Sequence, residues 1–154
     1  MINENKINIK PINKSHLSKL RLWKNQSKNY FFHKELITVK DQTEWYNLFK
    51  NRKNDFMFVV TKNNSLVGCM GIRLIIAEWD VYNVILGDFK YSKKGIMSIA
   101  FIKMLNFALS VKKTRISLKV LKNNPAINWY EKQNFEITNS NKDFYTMIYK
   151  NNKI

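Results

Sequence analysis

Cysteine is nearly absent: Cys69 is the only one in 154 residues, which excludes a disulfide framework and any zinc site built on cysteine pairs. Proline and glycine number only two and four, so no Gly/Pro-rich linker or low-complexity block divides the chain. A long apolar run is missing as well. The most apolar stretch, Gly95 to Val111, is interrupted by Ser98, Lys103, Asn106 and Ser110, and is too short and too polar to span a bilayer. Met1 to Lys6 carries no apolar core of a signal peptide. These absences point to a soluble, cytoplasmic protein that works away from membranes.

Acidic residues are also few, 11 against 27 Lys and Arg, for a net charge of +16. Such an excess invites a nucleic-acid reading, but arginine is scarce. Only Arg21, Arg52, Arg73 and Arg115 occur, and the other 23 cations are lysine. Bidentate recognition of phosphates and guanine edges favours the planar arginine fork. With 21 Asn and many Ile beside the lysines, A/T-rich codon usage accounts for the charge, and we read it against a nucleic-acid partner. The field still favours an anionic ligand. What the chain does have is apolar mass: 45% hydrophobic and 14% aromatic residues, enough for the interior of one domain over residues 1–154.

Periodicity supplies the order of elements. Lys6 to Ile12 alternates as a strand ended at Pro11, and Ser15 is placed to cap a helix from about His16 to Trp23, with Leu17 and Leu20 inward. Asp41 is read as the cap of a second helix, Gln42 to Phe49, burying Trp45, Leu48 and Phe49. Three strands follow in close succession, Asp55 to Thr61, Leu66 to Ile76 and Trp79 to Leu86; such short connections imply an antiparallel meander. A nearly all-apolar helix from Gly95 to Val111 must be largely buried. Next come a strand from Arg115 to Leu121, a short helix capped near Asn124 with Pro125 at its first position, and two strands, Phe135 to Thr138 and Phe144 to Lys150. The sum is a mixed α+β fold: about seven mostly antiparallel strands flanked by about four helices.

Two stretches carry chemistry. In Lys90 to Ser98 a strand gives way to the buried helix, where free amides and the positive helix end form an anion site. Gly95 permits the turn and Lys93 and Lys94 add charge, but the Gly-Lys-Ser/Thr ending of a Walker loop is absent. In the second stretch, Val120 to Phe135, Asn123 is followed by Ala126 and Tyr130 at spacings of three and four, and Asn134-Phe135 opens the next strand. This resembles the signature that closes the fold of the GNAT superfamily of N-acetyltransferases, with Asn134 where the family has glycine. The family's loop of the form Arg/Gln-x-x-Gly-x-Gly/Ala falls on Ser92, Gly95 and Met97, of which only Gly95 is kept. The Gly-x-Met form followed by Ala100 looks like the branch of ribosomal-protein and amino-sugar N-acetyltransferases.

The resemblance implies direct transfer of acetyl from acetyl-CoA to a primary amine within a ternary complex. The coenzyme would lie on Ser92, Lys93, Lys94, Gly95, Ile96, Met97 and Ser98, along Val84, Ile85 and Leu86, and against Asn123. Tyr130 would protonate the departing thiolate, and Glu78 or Asp80 would take the proton of the amine. Phe31, Phe32, His33 and Tyr82 would line the acceptor pocket. Alternation places Asp80, Tyr82 and Val84 on one face of their strand and Trp79, Val81, Asn83 and Ile85 on the other. No metal is implied, since His16 and His33 are far apart and lack a carboxylate partner. An amino sugar or sugar nucleotide is the expected acceptor; a protein N-terminus or an antibiotic amine is the alternative, and a non-catalytic acyl-CoA-binding module the reading from another class. Exposed strand edges near the C-terminus admit a homodimer.

Overall fold

The computed structural model describes residues 3–150. In chain order these form β1 (Ile7–Pro11), α1 (Leu17–Gln26), α2 (Val39–Phe49), β2 (Asp55–Lys62), β3 (Ser65–Ile75), β4 (Glu78–Leu86), α3 (Ile96–Val111), β5 (Ile116–Leu121), α4 (Ile127–Lys132), β6 (Phe135–Ser140) and β7 (Phe144–Tyr149). The strands make one sheet in the order β1-β2-β3-β4-β5-β7-β6. Every neighbouring pair is antiparallel except β4 and β5. The mixed α+β architecture read from periodicity is therefore the one observed.

Alternation in β2 divides the interior in two. Phe58 and Val60 join Met70, Ile72, Trp79, Phe101 and Met104 in the core under α3 and α4, whereas Met57 and Val59 join Leu20, Trp23 and Cys69 in a smaller core under α1 and α2. The β2–β3 hairpin turns on Asn63 and Asn64, both left-handed at φ 49° and 65°, the geometry that matches the twist of paired strands. Helix α3 is buried along most of its surface, with Asn106 and Ser110 outward. Its Lys103 ammonium reaches the carbonyl of Ile7 at 2.6 Å and so ties the helix to the first strand.

The helix starts depart from the sequence reading because other side chains win the caps. Asn13, not Ser15, organises the entry to α1: its Oδ1 accepts from the Ser15 amide at 2.9 Å, and its own amide donates to the His16 ring at 3.1 Å. The helix then runs to Gln26, beyond Trp23. Thr38 caps α2, with Asp41 completing the reciprocal capping box from the third position. Leu48 is 64% exposed, and Gln42 is buried instead, its Nε2 donating to the carbonyl of Leu17 at 2.6 Å. Pro125 precedes α4 rather than opening it: Asn124 Oδ1 accepts from the Ala126 amide at 2.9 Å and sets the turn from which the helix starts. Asn134, where the resemblance expects glycine, is left-handed at φ 67°, a conformation that asparagine tolerates better than other residues with a side chain.

The departure with most consequence lies in β4. Cys69 pairs with Ile85 and Gly71 with Tyr82, so Asn83 and Val84 together stand opposite Met70. Asn83 takes φ 50° to make this bulge. One extra residue reverses the alternation beyond it. Val84 and Leu86 consequently pack with Trp79 and Val81 on the larger core, and Ile85 joins Tyr82 on the smaller. The strict alternation of the sequence reading, with Val84 beside Tyr82 and Ile85 beside Trp79, is corrected by this bulge.

Candidate active site

Strands β4 and β5 pair only from Trp79–Ile116 to Val81–Leu118, yet they continue to Leu86 and Leu121. Beyond the last pair they splay, and the wedge between them opens into a cleft of about 780 Å³. Val84, Asp80 and Tyr82 line it from β4, Lys119 from β5 and Tyr130 from α4. The segment between α1 and α2 closes the other side with Phe31, Phe32 and His33, joined by Tyr30. Phe32 rests edge-on against Phe144, with centroids 5.3 Å apart.

Tyr130 is buried among Phe101, Trp129 and Phe135. Burial pushes its phenol upward, so the hydroxyl keeps its proton across the physiological range and is a donor. The helix that carries it is held by Ser98 on α3, whose hydroxyl accepts from Trp129 Nε1 and Gln133 Nε2, both at 3.0 Å. The Ser98 side chain thus serves the packing of α4. The Ser98 amide and its own hydroxyl hydrogen have no acceptor among the described residues.

At the head of α3, Lys93 and Gly95 are left-handed at φ 57° and 73°, and no side chain caps the helix. The amides of residues 93–98 have no backbone partner among the described residues. Lys93, Lys94 and Gly95 of this turn line a hollow of about 620 Å³ together with Lys6, Lys62 and Asn63. Unpartnered amides at a left-handed turn, beside four lysines, suit an anion such as a diphosphate. Ile96 is fully buried and offers its amide alone. Ser92 ends the preceding turn, its amide donating to the Phe89 carbonyl at 3.0 Å, and does not line the hollow. Met97 packs close to Gly68, where a Cβ would lie 3.2 Å from its sulfur and 2.2 Å from the Ile85 carbonyl.

Both predicted carboxylates are paired. Glu78 meets Arg115 at 3.2 Å near the surface. Asp80 meets Arg73 at 3.0 Å; burial raises its carboxyl and the guanidinium opposes that rise. Tyr82 donates its hydroxyl to Asp55 and lies under the Arg73 guanidinium, 4.3 Å from ring centroid. Of Val84, Ile85 and Leu86, Val84 alone lines the cleft; Ile85 faces the α1–α2 core. Asn123 points elsewhere: its Nδ2 donates to the Asn29 carbonyl at 3.1 Å, bracing the aromatic segment, while Asn124 lines the cleft. Of the residues that the resemblance assigns to the coenzyme, Val84 lines this cleft and Lys93, Lys94 and Gly95 line the separate hollow at the head of α3, whereas Ile85, Leu86, Ser92, Ile96, Met97, Ser98 and Asn123 line neither.

Sequence reasoning missed Lys24, Arg73, Asn83 and Trp45. Lys24 from α1 reaches into the cleft, its ammonium 3.7 Å above the Phe31 ring and donating to Asn83 Oδ1. The one hint in the sequence was an asparagine in mid-strand, a residue tolerant of the left-handed bulge. No helix among the described residues is long and apolar enough to cross a membrane, and no cluster there could hold a metal ion.

With this geometry in place, the description "Acetyltransferase (GNAT) family" matches residues 20–135, and the chain belongs to that family of acetyltransferases. Among curated proteins none matches the sequence. Solved structures share the fold. Spermidine N-acetyltransferase from Vibrio cholerae, in complex with CoA and spermine, superposes with a TM-score of 0.78 at 18% identity, covering 94% of this chain and 95% of that one. A nucleotide-linked sugar GNAT gives 0.77 at 14% identity, over 94% of this chain and 86% of that one. PaiA N-acetyltransferase from Thermoplasma acidophilum, in complex with coenzyme A, gives 0.72 at 13%, over 94% and 99%.

Proposed function

We propose that this protein is an acetyl-CoA-dependent N-acetyltransferase whose acceptor is a small-molecule primary amine, an amino sugar or sugar nucleotide by preference. The observation that carries this reading is the cleft opened where β4 and β5 splay, lined by the bulged strand and the buried Tyr130; the uncapped head of α3, on its own lysine-lined hollow, supports it separately. The neighbours solved with coenzyme A support the cofactor, and the nucleotide-linked sugar enzyme supports the acceptor class. The Gly95-x-Met97 form of the loop, as in the amino-sugar branch, agrees with it.

Acetyl-CoA supplies an activated acyl group, a thioester whose sulfur leaves as a weakly basic thiolate. The amides of residues 93–98, with Lys93 and Lys94, hold the diphosphate, and the Val84 edge of β4 guides the pantetheine arm. Backbone donors at the bulge stabilise the oxygen on which negative charge develops. Asp80, its basicity raised by burial, takes the proton of the acceptor ammonium through water, leaving a neutral amine to attack the carbonyl carbon. Glu78, exposed and held by Arg115, is the weaker base. As the new C–N bond forms and the C–S bond breaks, Tyr130 gives its proton to the departing sulfur, and the second proton that the nitrogen sheds on becoming an amide returns through water to the tyrosine oxygen.

Incubation with acetyl-CoA and a panel of amines, followed by release of free thiol, tests the proposal. Thiol release with at least one amino sugar is expected. Tight acetyl-CoA binding without turnover on any amine supports a non-catalytic acyl-CoA-binding module instead.

A further inference from the structure

The charges of the cleft do not balance. Of its carboxylates, Asp80 is committed to Arg73 and Glu78 to Arg115. The neighbouring Asp55 is engaged by Tyr82 and Arg52. Two cations line the same space with no carboxylate partner among the described residues, Lys24 and Lys119. Lys119 leans over the Phe144 ring at 5.8 Å. Lys24 is the more deliberately placed. It rises from α1 onto the Phe31 face, and Asn83 turns its side-chain oxygen to it from the left-handed position of the bulge.

An ammonium has three donor hydrogens. One goes to Asn83, and the aromatic face below accepts no further conventional hydrogen bond. A partly buried cation left so pays a desolvation cost that an incoming anion would reverse. Its other polar surroundings are the Arg73 guanidinium and Cys69 on β3, and Cys69 is buried with its thiol pushed up to about 12, so neither is a counter-ion. Beyond Asp80, which the proposed reaction assigns to the reacting ammonium, a polycationic acceptor would meet here a lysine and no free carboxylate for its further charges.

Resting on the proposed acetyl transfer, we infer that Lys24 is a specificity-determining residue that seats an anionic oxygen group, carboxylate or phosphate, of the acceptor amine. The substrate class is thereby narrowed to amines that also carry an acid, and polyamines are excluded.

The test compares matched acceptors by thiol release: glucosamine with glucosamine 6-phosphate, an ω-amino acid with its amide, and spermidine. The wild-type protein should prefer the acidic member of at least one pair and leave spermidine unused; which pair responds separates phosphate from carboxylate. Lys24→Met keeps the stem against Phe31 and should raise KM for the acidic acceptor about 10- to 100-fold, the worth of a charge-assisted hydrogen bond. The neutral acceptor should lose much less than the acidic one, and Lys24→Arg should restore much of the preference. Equal loss on acidic and neutral acceptors, the mark of a lysine that merely braces the bulge, overturns the inference, as does a preference for spermidine. Calorimetric titration of the CoA-loaded protein with glucosamine 6-phosphate and with the ω-amino acid needs no turnover. Binding that Lys24→Met abolishes supports the anion seat even where thiol release is absent and acetyl transfer fails. If neither acid binds the wild-type protein, the seat is rejected while the transferase reading stands on its own assay.

Discussion

Trp129 Nε1 donates to the Ser98 hydroxyl at 3.0 Å, and Gln133 Nε2 shares that acceptor at the same distance. One small side chain on α3 thereby fixes the short helix that carries Tyr130 against the helix whose head forms the candidate diphosphate site. A six-residue helix is too short to hold itself, so its position depends on such ties and on the aromatic cluster beneath it. Ser98→Ala would leave two partly buried donors without a partner. The expected cost is about 1–3 kcal/mol of stability, read as a lowered denaturant midpoint, together with reduced kcat as Tyr130 loses its fixed position.

Tyr130→Phe removes the proposed proton donor and keeps the ring in its cluster. A fall in kcat of about 10²–10⁴-fold is expected, the range of general acid catalysis, while calorimetry should show unchanged acetyl-CoA affinity. Because burial pushes the phenol up, the wild-type rate should show no loss from deprotonation of Tyr130 below about pH 10.

Gly95 holds φ 73° at the N-terminus of α3. A β-carbon there costs roughly 1–2 kcal/mol, or else the turn rearranges and its amides diverge. Gly95→Ala should therefore raise KM for acetyl-CoA by about tenfold and leave KM for the acceptor little changed. Steady-state kinetics with each substrate varied in turn separates the two.

Burial lowers the Lys24 ammonium from 10.5 to about 8, with Arg73 adding to the effect and Cys69 opposing it. The unfolded chain thus binds more protons than the folded one between those values, so stability contributed by this site rises with pH across that window. Below about 8 the cost of burying the charge is present in full. Lys24→Met should then be at least as stable as the wild type at pH 7, with its advantage shrinking as pH rises towards 10.5. Thermal unfolding at several pH values checks the sign. The same titration predicts that kcat/KM for an acidic acceptor, relative to its neutral counterpart, declines as pH rises through about 8, and that this decline is missing in Lys24→Met. Asp80, Arg73 and Asn83 face the same space, and all remain in both proteins.

The order of strands and helices was already written in the chain, because alternation in β2 and β5 and the apolar length of α3 are local patterns that burial enforces directly. Tyr130 and Gly95 were legible for a similar reason: their spacing is fixed along one short segment, and a left-handed turn before a buried helix asks for glycine. What residues 83 to 85 would do was not local. A single bulge at Asn83 reversed the faces of Val84 and Ile85, and it arises from the register between two strands rather than from composition. The pairings Asp80–Arg73 and Glu78–Arg115 likewise join residues 7 and 37 positions apart, across neighbouring strands. Lys24 came into the site only because α1 packs over β4, and its uncompensated charge exists only where the sheet has splayed. Periodicity determined most of the buried faces, with Leu48, Gln42 and the bulged Val84 and Ile85 as the exceptions; the tertiary structure decided which charges meet, because charge pairing depends on distances that folding alone creates.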